Sequence, residues 1–239
     1  MPHILDRRLP KRVAILQSNY IPWKGTFDLI HDVDEFVFLD DVQYTRQDWR
    51  NRNRIKTDRG ARWLTIPVGT HLDRRLCDVE LPDSWAAEHW RELTRWYAGA
   101  PFFEWCRPVV EPLYRDGPFR LLSDWNQHAI RTIARDLLGI TTHFRDSREL
   151  ERRGRGQEHV LGLLQQLDAG AYVSGPAAKA YLEPERFAAA GIELVWKSYD
   201  GYPESPQFHP PFAHDVTILD LLFHTGPRAP WFIWGWRAD

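Results

Sequence analysis

The sequence predicts an α/β fold, a Rossmann-like, mostly parallel sheet carrying an inserted β-hairpin and a helical middle segment. Three observations lead there. Val13 to Leu16 and Glu35 to Leu39 are short apolar runs of strand length, each ending abruptly in a polar, aromatic-rich turn. The stretch from Thr141 to Lys197 alternates strand-like and helix-like segments. Between these two regions, residues 84 to 138 keep helical periodicity.

Taken in order, Val13-Ala14-Ile15-Leu16 reads as a buried strand. The turn from Gln17 to Trp23 cannot be helical up to Pro22, because the residue before a proline is pushed out of the helical region. Thr26 to His31 reads as a short helix and Glu35 to Leu39 as the second strand. Asn53–Thr57 and Arg62–Val68, joined by Asp58-Arg59-Gly60, read as a β-hairpin, either an insertion or a sheet edge. Three helices are expected over 84–138, the middle one disturbed by Pro108 and Pro112. In the third, Leu122, Trp125, Ala129, Ile133 and Leu137 share one face, and Gly139 supplies a stop. Strand Thr141–Arg145, helix Gln157–Ala169, strand Ala171–Ser174, helix Pro184–Ala190 and strand Ile192–Lys197 complete the expected pattern. Residues 1–11 and the charged run 148–156 are expected to be loose.

The formal charge of −2 provides no basic field, and no nucleic-acid signature is present, so nucleic acid is not an expected partner. No apolar stretch reaches membrane-spanning length, and the first dozen residues lack a signal-peptide core, which gives a cytoplasmic expectation. Cys77 and Cys106 stand alone, outside any metal-ligand spacing, and neither a P-loop nor a dinucleotide turn follows a strand. No cofactor and no metal are therefore expected.

In an open α/β sheet, ligands sit beyond the carboxyl ends of the strands. Gln17, Tyr20 and Trp23 should accordingly face Asp40, Asp41, Gln43 and Tyr44 across one pocket. A strand-end carboxylate can act as a general base, which makes Asp41 the first catalytic candidate; the bland alternative is an Asp40 turn cap and an Asp41 ion pair. His89, at a helix start beside Trp85 and Trp90, is the second, against a packing role. Arg50, Asn51, Arg52, Asn53 and Lys56 form an alternating cation and amide segment suited to an anion such as a nucleotide diphosphate or carrier phosphopantetheine, the alternative being a charge-protected edge strand. Ser174, before the small-residue turn Gly175-Pro176, and Tyr181 are further binding candidates, although a tight turn alone explains the glycine. His209, His214 and His224 cluster near Asp215 and Asp220 without metal spacing.

The strings QSNYIPWKGTFDLI, DEFVFLDDVQYT, WRNRNRIK and WLTIPV, followed in order by Tyr97–Pro101, Tyr172–Gly175, Tyr181-Leu182, Gly191-Ile192 and Thr217–Phe223, resemble the WbqC-like protein family. The resemblance runs over residues 12 to 226 as one unit, with 84–138 as a helical insertion or lid; Asn19 stands where that family commonly has proline, and His224 where it has asparagine. It implies a bacterial protein associated with O-antigen and other surface-polysaccharide biosynthesis. The implied activity is that of a transferase, acyl- or aminoacyl-type, forming an amide or ester on a nucleotide-activated or carrier-linked sugar, with an acyl carrier protein as a candidate partner. Two alternatives stand beside it. One is a non-catalytic sugar- or carrier-binding partner in a biosynthetic complex. The other is a degenerate nucleotidyltransferase-like enzyme, since the opening is similar to that of HIGH-type nucleotidyltransferases, with Trp23-Lys24-Gly25-Thr26 in place of the two histidines.

Overall fold

The computed structural model describes residues 9–115, 117 and 119–238; the part of the expected loose N-terminal tail that falls on residues 1–8 lies outside them. Five parallel strands form the sheet: β1 (Arg12–Leu16), β2 (Glu35–Phe38), β5 (His143–Asp146), β6 (Ala171–Ser174) and β7 (Glu193–Trp196), in the spatial order β5-β2-β1-β6-β7. The hairpin strands β3 (Arg52–Thr57) and β4 (Gly60–Thr65) pair only with each other and are antiparallel. The fold is thus the α/β, Rossmann-like arrangement that the strand and helix alternation predicts.

Both faces of the sheet are covered, which is why β1 and β2 read as continuous apolar runs. The register pairs Val13 with Glu35 and Leu16 with Phe38. Val13, Ile15 and Val37 point to one face, against Leu163 of helix α5 (Gln157–Gln166) and Phe187 of α6 (Pro184–Ala189). Ala14, Phe36 and Phe38 point to the other, into a larger core with Phe27 and Ile30 of α1 (Lys24–His31). That core also takes the inward faces of α2 (Trp85–Tyr97), α3 (Phe103–Arg115), α4 (Leu122–Thr132) and α7 (Ile218–Thr225).

The helical middle packs as a continuous layer. Leu122, Trp125, Ala129, Ile133 and Leu137 are all buried, and α4 runs on into a π-helical turn, Ile133–Leu137, before Gly139 at φ 67° turns the chain away. The expectation that Pro108 and Pro112 disturb the middle helix needs correcting: α3 is unbroken through both. They stand four residues apart on its exposed side, where carbonyls deprived of an N–H donor can turn to water. The run 148–156 is also better anchored than expected, because Arg148 pairs with Asp146 at 2.6 Å and Arg152 with Asp41 at 2.9 Å.

Helix α7 was not legible from periodicity because all eight of its residues are buried, leaving no polar face to set a phase. Beyond it, α8 (Ala229–Ile233) packs on α1, and Trp234 stacks on His31 with ring centroids 4.0 Å apart. Buried Asp28 of α1 accepts from Lys197 at 2.9 Å, from Arg237 at 2.7 Å and from Tyr202, tying the C-terminal segment to the first helix.

Candidate functional site

Strand order fixes where a ligand should bind. From β1 the chain moves outward through β2 to β5, then returns to the other side of β1 as β6 and continues to β7. The direction of travel therefore reverses between β1 and β6, and the loops leaving their carboxyl ends diverge and open a crevice. A cavity of about 450 Å³ lies there. Leu16 and Asn19 after β1, Trp23 and Thr26 at the start of α1, and Gly175 to Ala177 after β6 line it. Tyr199 after β7, Trp49, Arg50 and Asn53 around the hairpin, and Asp215 complete the walls. Two larger hollows, about 510 Å³ beside Glu80 and Phe119 and about 670 Å³ at the hairpin tip, lie away from the strand ends.

Asparagine amides hold the hairpin over the crevice. Asn53 Nδ2 donates to the carbonyls of Tyr20 at 3.0 Å and Ile21 at 2.8 Å, which clamps the turn after β1. Ile21 needs the clamp, since its φ of 32° is a conformation that β-branched residues rarely adopt. Asn51 Nδ2 donates to Ile66 O at 2.8 Å, and Asn126 of α4 donates to Arg50 O at 2.9 Å.

Arg50 is the cation of the crevice. Its Nη1 and Nη2 donate to the neutral side-chain oxygens of Asn19 and Gln17, so both amides help to orient the guanidinium. The nearest carboxylate oxygen, on Asp48, is 3.7 Å away, and the buried Nε has no partner among the described residues. Burial pushes the guanidinium below its ordinary value, yet an arginine remains protonated at any physiological pH. Trp23 and Tyr199 meet edge to face, with centroids 5.2 Å apart, and give the crevice an aromatic wall.

The structure separates the other expected site residues. Tyr20 is fully buried beneath the turn: its hydroxyl meets His89 Nδ1 at 2.7 Å and Tyr114 OH at 3.0 Å, amid Trp85 and Trp125. Burial lowers His89 to about 4, partly opposed by the hydrogen bond to Thr65 O, so the ring is neutral. Its Nε2 faces that carbonyl at 3.2 Å and must carry the proton, leaving Nδ1 to accept from Tyr20. Gln43 is exposed and donates at 3.4 Å to Leu72 O, and Tyr44 is buried beneath Arg74. Arg52 lies over Trp63 at 4.1 Å, and Lys56 Nζ donates to Pro211 O. Ser174 is buried one residue before the crevice-lining Gly175, while Tyr181 is 68% exposed.

Asp40 and Asp41 part company. Asp40 is wholly buried: burial raises its carboxyl to about 6, although Ser18 N at 2.8 Å and Gln127 Nε2 at 2.8 Å donate to it. That same Nε2 reaches Asp146 at 2.7 Å, bridging the ends of β2 and β5. Asp41 is ionised; burial alone would raise it, but hydrogen bonds from His159 and Ser147 and the charges of His159 and Arg152 bring it to about 2. Asp41 and His89 are both absent from the described lining of the crevice. The C-terminal histidines are dispersed, His209 facing Trp96, His214 facing Phe212, and His224 donating from Nδ1 to Asp220 O at 2.7 Å. Among the described residues, no group of three or more His, Cys, Asp or Glu is placed to hold a metal, and no helix is long and apolar enough to cross a membrane.

Fold and crevice together define a Rossmann-like α/β protein with an open crevice at the switch point of its sheet. The family model for the WbqC-like protein family matches residues 17–231, and the chain belongs to that family. The uncharacterized protein Rv1507c of Mycobacterium tuberculosis is 42% identical over 224 residues, which cover 92% of this chain and 96% of that protein. No solved structure matches the chain.

Proposed function

We propose that the crevice is the substrate site of a transferase that modifies a nucleotide-activated or carrier-linked sugar, forming an amide or ester bond. One observation carries the reading: a largely buried arginine braced by neutral amides stands under aromatic walls where the β1 and β6 loops diverge. Arginine suits phosphate and carboxylate oxygens, and indole and phenol faces suit a sugar ring or base. The group-transfer chemistry and the surface-polysaccharide setting come from the family resemblance. Calorimetry with UDP-glucose should give binding that Trp23→Ala and Arg50→Gln both weaken. Heats unchanged by either substitution would remove the crevice as the site.

A second reading, a sugar- or carrier-binding partner without turnover, is favoured by the position of Asp41 and His89 off the crevice lining. Asp215, the carboxylate that does line it, is paired with Arg54. Turnover assays separate the two, because catalysis requires a residue whose loss abolishes reaction while binding persists.

A further inference from the structure

The sheet topology brings a second anion-binding device near the crevice, the N-terminus of α1, whose free amides ordinarily serve phosphates at this place in the fold. There the Trp23 indole packs against the first turn: a Cβ built on Gly25 would stand 2.6 Å from its Cε2. The lining residues then supply one cation, Arg50, and one carboxylate, Asp215, which is already paired with Arg54. Arg52 and Lys56, the expected partners of Arg50, are turned to Trp63 and Pro211. A largely buried charge braced by amides, with a carboxylate 3.7 Å away, is costly unless a ligand completes it, and one arginine can neutralise about one negative charge.

We infer that the crevice selects a ring-bearing ligand with a single anionic group, met by Arg50 while the ring lies against Trp23 and Tyr199, and that it does not cradle a polyphosphate. This rests on the reading of the crevice as the substrate site and narrows its ligand. A nucleoside monophosphate unit, a sugar 1-phosphate and a sugar carboxylate share this chemistry. The two arms of the test distinguish them by ring and by anion.

Calorimetry on the full chain would use uridine, UMP, UDP and UTP in one arm, and glucose, glucose 1-phosphate and glucuronate in the other. In at least one arm, the single-anion probe should bind about tenfold or more tightly than its uncharged parent, the scale of one charge-assisted contact. UDP and UTP should gain less than about threefold over UMP, since among the described lining residues Arg50 is the one cation and the nearby Arg54 is already paired with Asp215. Arg50→Gln should abolish the preference for the anion while leaving binding of the uncharged ring unchanged, and Trp23→Ala should weaken charged and uncharged probes alike. A steady rise in affinity from UMP to UTP, a preference that survives Arg50→Gln, or no detectable binding of any single-anion probe at millimolar concentration overturns the inference. Uridine or glucose binding that Trp23→Ala alone removes would keep the crevice as the site while discarding the anion rule. Binding untouched by both substitutions removes the site itself.

Discussion

Trp23 occupies the volume that a side chain at position 25 would need. Its indole atoms Cε2 and Cζ2 crowd the place of a Gly25 Cβ, so the aromatic wall of the crevice depends on the one residue with nothing to offer there. In an ordinary helix, exchanging glycine for alanine stabilises by about 0.5–1 kcal/mol. Gly25→Ala should show little of that gain, because the indole must swing away. The indole N–H signal of Trp23 in a two-dimensional NMR spectrum should move, and ligand affinity should fall with the fold intact. A spectrum unchanged at Trp23 would contradict the packing described.

Removing the Tyr20 hydroxyl leaves His89 Nδ1 and Tyr114 OH without their shared partner in a buried aromatic core. Tyr20→Phe should cost about 1–3 kcal/mol, the usual penalty for an unsatisfied buried group, read from the shift of the urea midpoint. A midpoint within error of the parent protein would mean that water reaches the site.

The two strand-end acids give opposite pH dependences. Asp41, held at about 2, is more easily ionised in the folded chain than in the unfolded one. Its stabilisation is present above pH ~4 and is lost as pH falls from there towards about 2. Asp40, raised to about 6, favours the folded state while protonated, so its contribution declines as pH rises from ~4 through about 6. Asp41→Asn should destabilise the fold at pH 7 by weakening the contacts from Ser147, Arg152 and His159, and should flatten the acid side of the stability curve. Asp40→Asn should remove the decline between pH 4 and 6 that the parent shows; its persistence would place the titrating group elsewhere.

Asp28 collects three donors from the C-terminal half of the chain. Asp28→Asn leaves Lys197 and Arg237 poorly compensated and should cost about 3–5 kcal/mol. Brief trypsin treatment should release the segment after Arg228 far faster from this variant than from the parent; equal cleavage would show that the Trp234–His31 stack suffices alone.

The fold was readable where burial imposed a period. β1 and β2 announced themselves through two-sided burial, α4 through its 3.6-residue stripe, and the hairpin through Asp58-Arg59-Gly60. The site was readable only in part. Strand-end logic led to Gln17 and Trp23 and the alternating cation segment to Arg50, which the structure brings together, but alternation could not show that Arg50 precedes β3 while Arg52 and Arg54 lie along it against Trp63. Asn51 and Asn53, read as ligand groups, also carry backbone hydrogen bonds, a use that side-chain chemistry alone does not reveal, and Asn53 still lines the crevice. Tyr199 and Asp215 were missed as crevice residues because each reaches it from a long C-terminal connection without periodicity.

The crevice walls come from positions 16 to 26, 49 to 53, 175 to 177, 199 and 215, so no contiguous fragment holds a usable part of it. Its occupant would act as a staple between segments that otherwise meet only when the whole chain has folded. Binding energy there is also assembly energy: a ligand at a hundred times its dissociation constant would add about 2.7 kcal/mol to global stability. A library of small rings and acids could therefore be ranked by melting temperature before any reaction is known.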